Sequence, residues 1–352
     1  MTRSRLSTSL CLLVSLVVLD GCGSTQTAEA QPVTETGAPV PTAIEMSSLR
    51  ERALEKLNDA AFSSSALMRA NAIEGLHAVP TRAEQVVRMG LQDDNVGVRY
   101  TAATTVGLLK LNTSRELVRP LVQDPDARVR AAAIFALNQT GAQVNLNPLA
   151  SILETRDARQ RANVVWLLGE MGNRSAIPML KDAASKPTWG TPNEERMFRL
   201  QVSEALVKLG EMDSISTVRA ALYPSSESEF ELAVLAAQII GEVQDRGASA
   251  QLVNLIQAQV AGTSARNPEY IYPAELRLAA AAALAKMGFD DGTYVADLYA
   301  EHEQDSVRAQ AALLYAEIGH AENLPKLKAL MADASPIVQV HAAAAILKIV
   351  EA

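Results

Sequence analysis

Nine copies of one short motif fill most of the chain, and no other feature narrows its fold so far. "VRYTAATTVGLLKL" begins at Val98, "VRAAAIFALNQTG" at Val129, "QRANVVWLLGEMG" at Gln160, "FRLQVSEALVKLG" at Phe198, "LRLAAAAALAKMG" at Leu276 and "VRAQAALLYAEIG" at Val307; fainter copies begin at Met68, Leu232 and Val340. Aligned on their second residue, the copies give a reference column of Arg69, Arg99, Arg130, Arg161, Arg199, Ala233, Arg277, Arg308 and His341. The intervals are 30, 31, 31, 38, 34, 44, 31 and 33 residues. Self-similarity at such a period implies stacked supersecondary units, each burying its apolar face against the next.

The columns say what the unit is. Three residues after the reference, all nine copies carry Ala or Val, as at Ala102, Ala133 and Val202; seven after it, seven copies carry an aliphatic, as at Val106, Leu137 and Leu284. Spacings of four put these columns on one helical face, and the small residues let neighbouring helices approach closely. Six residues before the reference stand Ser63, Asp93, Asp124, Thr155, Asn193 and Ser335, a column expected to cap the helix, with Pro125 and Pro336 next in two copies. Gly141, Gly172, Gly210, Gly288 and Gly319 stand where a left-handed residue closes a helix. Another apolar segment precedes each such helix, for example "LNPLASILE", "AIPMLKDAA" and "NLPKLKALM", so each repeat is predicted to be a helical hairpin.

This pattern resembles the bacterial HEAT repeats, with their D-x-x-x-x-V-R-x-x-A-A-x-x-L-G-x-x-G signature, over residues 45–352. The resemblance implies an all-α fold, a right-handed α-α superhelix of about nine hairpins, with the second helices on the concave side. Stacked at 8 to 10 Å, the hairpins would extend on the order of 80 to 90 Å along the arc. The resemblance also implies an Asp and Arg ladder, of which Asp93 with Arg99 and Asp124 with Arg130 supply both members.

The amino terminus reads as an address. Arg3 and Arg5 precede an apolar run, Leu6 to Leu19, too short to span a bilayer comfortably. Leu19-Asp20-Gly21-Cys22 resembles the bacterial lipobox, which implies cleavage after residue 21 and lipid on Cys22; "AEAQ" offers an alternative cleavage after Ala30 and a soluble periplasmic product. Residues 22–44, polar and dotted with proline, are expected to be a flexible tether reaching roughly 25 Å. The expected location is thus the bacterial cell envelope, anchored in the membrane through Cys22 and facing the periplasm, with Gly23 resembling the outer-membrane sorting default.

Composition removes several functions. A net charge of −8 offers no cationic surface to phosphates, which argues against nucleic acid as the partner. Both cysteines, Cys11 and Cys22, precede the repeats, so the body holds no disulfide, zinc-thiolate site or cysteine nucleophile. Deoxyhypusine hydroxylases, HEAT enzymes, bind two irons through several His-Glu pairs; this chain has only His302-Glu303, so no metal is expected. No phosphate-binding glycine loop, nucleophile elbow or catalytic pairing is found, so no cofactor is expected either.

The longest intervals contain "SKPTWGTPNEER" and "QVAGTSARNPEYIYPAE", with "LYPSSESEF" at the equivalent turn between them. These gather Trp189, Tyr223, Tyr270 and Tyr272 on one edge, in a chain only 4% aromatic. Such rings suit a partner-binding surface, or they fold back and cover the edge. The expected function is a non-enzymatic protein- or peptide-binding scaffold that uses this edge and the concave face. An enzyme or cofactor-binding protein of the HEAT-like lyase type is the alternative, and a passive envelope spacer a third.

Overall fold

The computed structural model describes residues 41–186, 190–262 and 268–352. Nine hairpins follow one another, each an outer helix and then an inner one. They are α1 (Ala43–Ala61) with α2 (Ala66–Gly75), α3 (Pro80–Gly90) with α4 (Val96–Leu108), and α5 (Arg115–Val118) with α6 (Ala127–Gln139). Next come α7 (Asn147–Leu153) with α8 (Ala158–Met171), α9 (Ile177–Ser185) with α10 (Pro192–Lys208), and α11 (Ile215–Ala221) with α12 (Phe230–Val243). The last three are α13 (Ser249–Gln257) with α14 (Ala274–Lys286), α15 (Tyr294–Tyr299) with α16 (Asp305–Ile318), and α17 (Leu324–Leu330) with α18 (Pro336–Val350). This is an all-α, α-α superhelix; the one β feature among the described residues is an isolated antiparallel bridge between Gln259 and Tyr270.

The array starts two residues before the expected boundary. Thr42 closes a capping box on α1: Glu45 N donates to its hydroxyl at 3.3 Å, and its own N–H donates to the Glu45 carboxylate at 2.8 Å. The caps of α4, α6 and α8 lie two residues later than the sequence columns suggested, and that of α10 two residues earlier, at Thr191 instead of Asn193. Asn95, Asp126 and Asp157, four residues before the reference arginines, accept from the first-turn amides of α4, α6 and α8. In the last repeat Ser335 is the N-cap and Gln339, not His341, takes the reference place, its side chain donating to Asp333 O six residues back as Arg99 does to Asp93 O. At the other helix ends all five anticipated glycines have positive φ, between 67° and 94°. Lys110 (φ 50°) and Gln244 (φ 54°) occupy the same column in the second and sixth repeats, where no glycine is available.

The inner helices form a continuous wall. Each packs on the next, and Gly169 and Gly241 permit two of the closest approaches: a Cβ there would sit 3.0 Å and 2.9 Å from the Cα of Ala205 and Ala283. The wall then meets itself. α18 packs against both α1 and α2, so the ninth inner helix neighbours the first. A Cβ on Gly75 would lie 3.1 Å from the Ala344 Cβ, Lys56 donates to Gln339 at 3.0 Å, and Arg50 pairs with Glu351. The superhelix is therefore a closed ring and not the open arc of 80 to 90 Å first expected.

Closure gives the molecule two distinct edges. The turns inside hairpins gather on one, called here the hairpin edge; the connections between hairpins gather on the other, the linker edge. Thr42, at the start of an outer helix, opens on the linker edge.

Candidate interaction surface

The reference arginines hold the hairpin edge together. Arg69, Arg99 and Arg308 each donate one guanidinium nitrogen to two carbonyls of their own turn and fork onto an aspartate of the following repeat. Their Nε–carboxylate distances to Asp93, Asp124 and Asp333 are 2.7, 2.8 and 2.8 Å. The ladder thus runs between repeats, not within one: Arg69 with Asp93, then Arg99 with Asp124. Arg130 reaches carbonyls only, since Thr155 stands where the next aspartate belongs. The arginine beside Asp93 and the one beside Asp333 hold both carboxyls below their ordinary pKa.

Two arginines without an aspartate turn inward. Arg161 lies 4.1 Å from the Phe198 ring centroid and donates to Ala183 O. Arg277 is fully buried, 3.2 Å from the Tyr270 ring centroid, donating to Ile256 O at 2.8 Å and to the Tyr299 hydroxyl. Arginine is suited to this place because its weakly hydrated planar head stacks on rings that an ammonium would not match.

Around Arg277 the expected aromatic edge takes shape. Tyr270 covers the guanidinium, Tyr272 packs edge-on against Phe230 at 5.8 Å, and Tyr299 packs edge-on against His302 at 5.8 Å. Tyr223 stands 65% exposed, with Ile271 at 51% and Val260 at 39%. The tyrosines therefore divide: Tyr270 and Tyr272 fold onto the edge while Tyr223 faces solvent. Trp189 and Cys22 lie outside the described residues. Phe230 and Tyr299 carry no signal in the sequence; for the inward turn of Arg277, the absence of an aspartate six residues before Arg308 was the available sign that it needed another partner.

The concave face expected as a second contact surface is the inner lining of the ring. From one to seven residues after the reference, with Gln339 as the last reference, no inner helix carries an exposed residue. Phe135, on this wall, is fully buried and packs 6.2 Å from the Trp166 ring. An open concave groove would leave one helical face solvated, so the correction follows from closure.

Nearer the linker edge, nine residues after the reference, six consecutive inner helices alternate Glu170, Lys208, Glu242, Lys286, Glu317 and Lys348. They close three ion pairs between neighbouring helices: Lys208–Glu170, Lys286–Glu242 and Lys348–Glu317. Burial works against the Lys208 ammonium, but Glu204 and Glu170 outweigh it and hold its pKa above the lysine range. At the seam, Glu74 and His341 share a small cavity with Asn71 and Leu313. An adjoining cavity of about 30 Å³ reaches Lys348 and is large enough for a single water. Burial raises the Glu74 carboxyl to about 8 and lowers His77 to about 4. No group of three His, Cys, Asp or Glu suited to a metal occurs among the described residues, and none of their helices is long and apolar enough to cross a membrane.

Residues 52–138 and 114–194 match the family described as HEAT repeats. No curated protein matches the chain in sequence. Among solved structures, the complex of CpcE and CpcF of phycocyanin lyase from Nostoc sp. PCC7120 is similar at 16% identity and a TM-score of 0.42, over 77% of this chain and 98% of that one. Human deoxyhypusine hydroxylase in complex with glycerol is similar at 15% identity and a TM-score of 0.36, over 87% and 98%. The karyopherin Kap121p bound to the extreme C-terminus of the protein phosphatase Cdc14p is similar at 11% identity and 0.32, over 83% of this chain and 41% of that one.

Proposed function

We propose that this chain is a non-enzymatic HEAT ring, lipid-anchored through Cys22 in the bacterial envelope, that binds a protein or peptide partner on its hairpin edge. The observation that carries the reading is the group of exposed Tyr223, Val260 and Ile271 on one edge, beside the packed rings of Tyr270 and Tyr272. Large exposed aromatic and aliphatic side chains held on a rigid base are what a protein interface needs at its centre. With the inner wall carrying only buried and partly buried residues, the edges and the outer helices offer a partner the most accessible side chains.

Geometry relates the anchor to this surface. A tether from Cys22 would join the ring at Thr42 on the linker edge, which leaves the hairpin edge free to face away from the bilayer. α1 is 19 residues long, so about 28 Å of protein separates the two edges. Crosslinking in intact cells followed by mass spectrometry tests both halves. The expected result is a partner crosslinked to residues 223–231 or 258–275 and an amino-terminal peptide carrying acyl chains on Cys22. Crosslinks confined to the linker edge, unaltered by Tyr223→Ala with Ile271→Ala, would overturn the surface assignment; an unacylated Cys22 would overturn the anchor.

A further inference from the structure

Resting on that reading of the hairpin edge, we infer that its partner is a basic segment carrying apolar side chains, drawn to a face on which five exposed carboxylates have no ion-pair partner among the described residues. Glu227, Glu231, Glu269, Glu301 and Glu303 are all exposed, and no side-chain hydrogen bond or ion pair engages any of them among the described residues. They come from the turns of the sixth, seventh and eighth repeats. These turns are joined by the contacts of Tyr272 with Phe230, of Tyr270 and Tyr299 with Arg277, and of His302 with Tyr299. Tyr223, Val260 and Ile271 stand among them as the exposed apolar side chains.

Several other carboxylates of this edge do meet a cation, Glu229 with Arg196 among them. Asp93, Asp124 and Asp333 take an arginine from the preceding repeat, Asp126 takes Arg128, and Glu195 takes Arg199. In the apolar patch Arg277 is fully buried beneath Tyr270 and reaches no carboxylate; Arg308 gives its guanidinium to Asp333 and to the His302 and Glu303 carbonyls, Arg196 pairs with Glu229, and Arg266 lies outside the described residues. Five exposed carboxylates without a described cation partner, set against the one buried Arg277 guanidinium, give the patch a negative potential that attracts a cationic segment and repels an anionic one. A second copy of the chain is a poor occupant for that reason, since each copy carries a net charge of −8 and would bring acid against acid.

Fluorescence anisotropy on the full chain tests this with three labelled 12-residue peptides: alternating Lys and Leu, alternating Glu and Leu, and alternating Lys and Ser. The Lys-Leu peptide is expected to bind, and to weaken by about tenfold or more between 50 and 300 mM salt as the Debye length shortens. The Glu-Leu peptide is expected not to bind, and the Lys-Ser peptide to bind at least ~10-fold more weakly for want of apolar burial. Combined Glu227→Gln, Glu231→Gln, Glu269→Gln, Glu301→Gln and Glu303→Gln should lose the salt dependence and about tenfold in affinity. Tyr223→Ser with Ile271→Ser should lose affinity while keeping the salt dependence. All these positions are exposed, so folding is preserved and circular dichroism can verify it. Equal binding of the Lys-Leu and Glu-Leu peptides, or Lys-Leu binding untouched by the five glutamines, would overturn the inference. A cellular partner crosslinked to this edge through an acidic or uncharged segment would overturn it too, while leaving the scaffold reading intact. A partner found only on the linker edge would remove both.

Discussion

Ring closure can be tested covalently, because beyond Cys22 the chain has no cysteine. With Cys11 and Cys22 replaced by Ser, a Gly75→Cys, Ala344→Cys pair contributes the only thiols. A Cβ on Gly75 would lie 3.1 Å from Ala344 Cβ, a few tenths of an ångström inside the spacing of about 3.5 to 4.5 Å that a disulfide prefers. Gly90→Cys with Ala102→Cys makes a matched control between α3 and α4: the same distance is 3.0 Å, and the crowding is alike, with Leu57 Cδ2 at 2.8 Å from the first site and Ile73 Cδ1 at 2.8 Å from the second. The two bonds differ in the loop they close. On the chain-entropy account, the control loop of about 13 residues stabilises by about 3 kcal/mol, and the seam loop of about 270 residues by about 5.5 kcal/mol. Strain subtracts similarly from both, so a difference of about 2.5 kcal/mol is expected in urea unfolding with and without reductant. The mass of the intramolecular product reports bond formation. If the control oxidises within the chain while the seam pair stays reduced or links two chains, the ends do not meet in solution and the ring is wrong.

Further expectations concern single sites. Lys110→Gly and Gln244→Gly, which relieve left-handed backbone at helix ends, should each raise stability by about 0.5 to 1 kcal/mol in urea melts, a destabilisation at either site counting against the cap assignment. Gly107→Ala should cost about 1 to 3 kcal/mol, since its Cβ would fall 2.4 Å from the Phe135 ring; a neutral result would mean that the α4 and α6 contact is looser than described. Glu74, raised to about 8, contributes stability that is complete below an unfolded value near 4.5 and is lost as pH climbs to about 8. His77, lowered to about 4, contributes stability that is complete above 6.5 and is lost as pH falls to about 4; His341, also lowered by burial, acts in the same sense. The two kinds of group oppose each other from 4.5 to 6.5, and Glu204, also raised by burial, acts in the sense of Glu74, so Glu74→Gln should reduce the decline in urea midpoint between pH 6.5 and 8. An unchanged slope there would reject the buried neutral carboxyl.

The hairpins were legible because each is specified locally. Small residues at Ala102 or Ala133, the glycines at 141, 172, 210, 288 and 319, and the apolar run before each inner helix all act within one repeat or on its neighbour. Partners one repeat away were harder to read: Arg99 looks like a match for Asp93 of its own turn, and only the stacked structure shows it reaching Asp124. In the last repeat Asp333 with Val338-Gln339 keeps the D-x-x-x-x-V spacing, with glutamine in place of arginine. Closure lay beyond column reading, because it is the sum of nine small rotations between neighbours. One hint was present. An open array needs a polar outer face on its terminal helix, and "PIVQVHAAAAILKIV" has nearly none, because α1 covers it. The aromatic edge was located from loop lengths, yet which rings pack and which face water depended on Phe230 and Arg277, residues of other segments.

The contact of α18 with α1 and α2 also limits how this array can vary over evolutionary time. An open stack shortens or lengthens by whole units at little structural cost, and its ends simply move apart. Here a full circle is shared among nine units at about 40° each, and the loss of one would ask about 45° of every survivor. The unit number should therefore be frozen by arithmetic, and change should concentrate in loops such as 258–275, which alter an edge without touching the circumference.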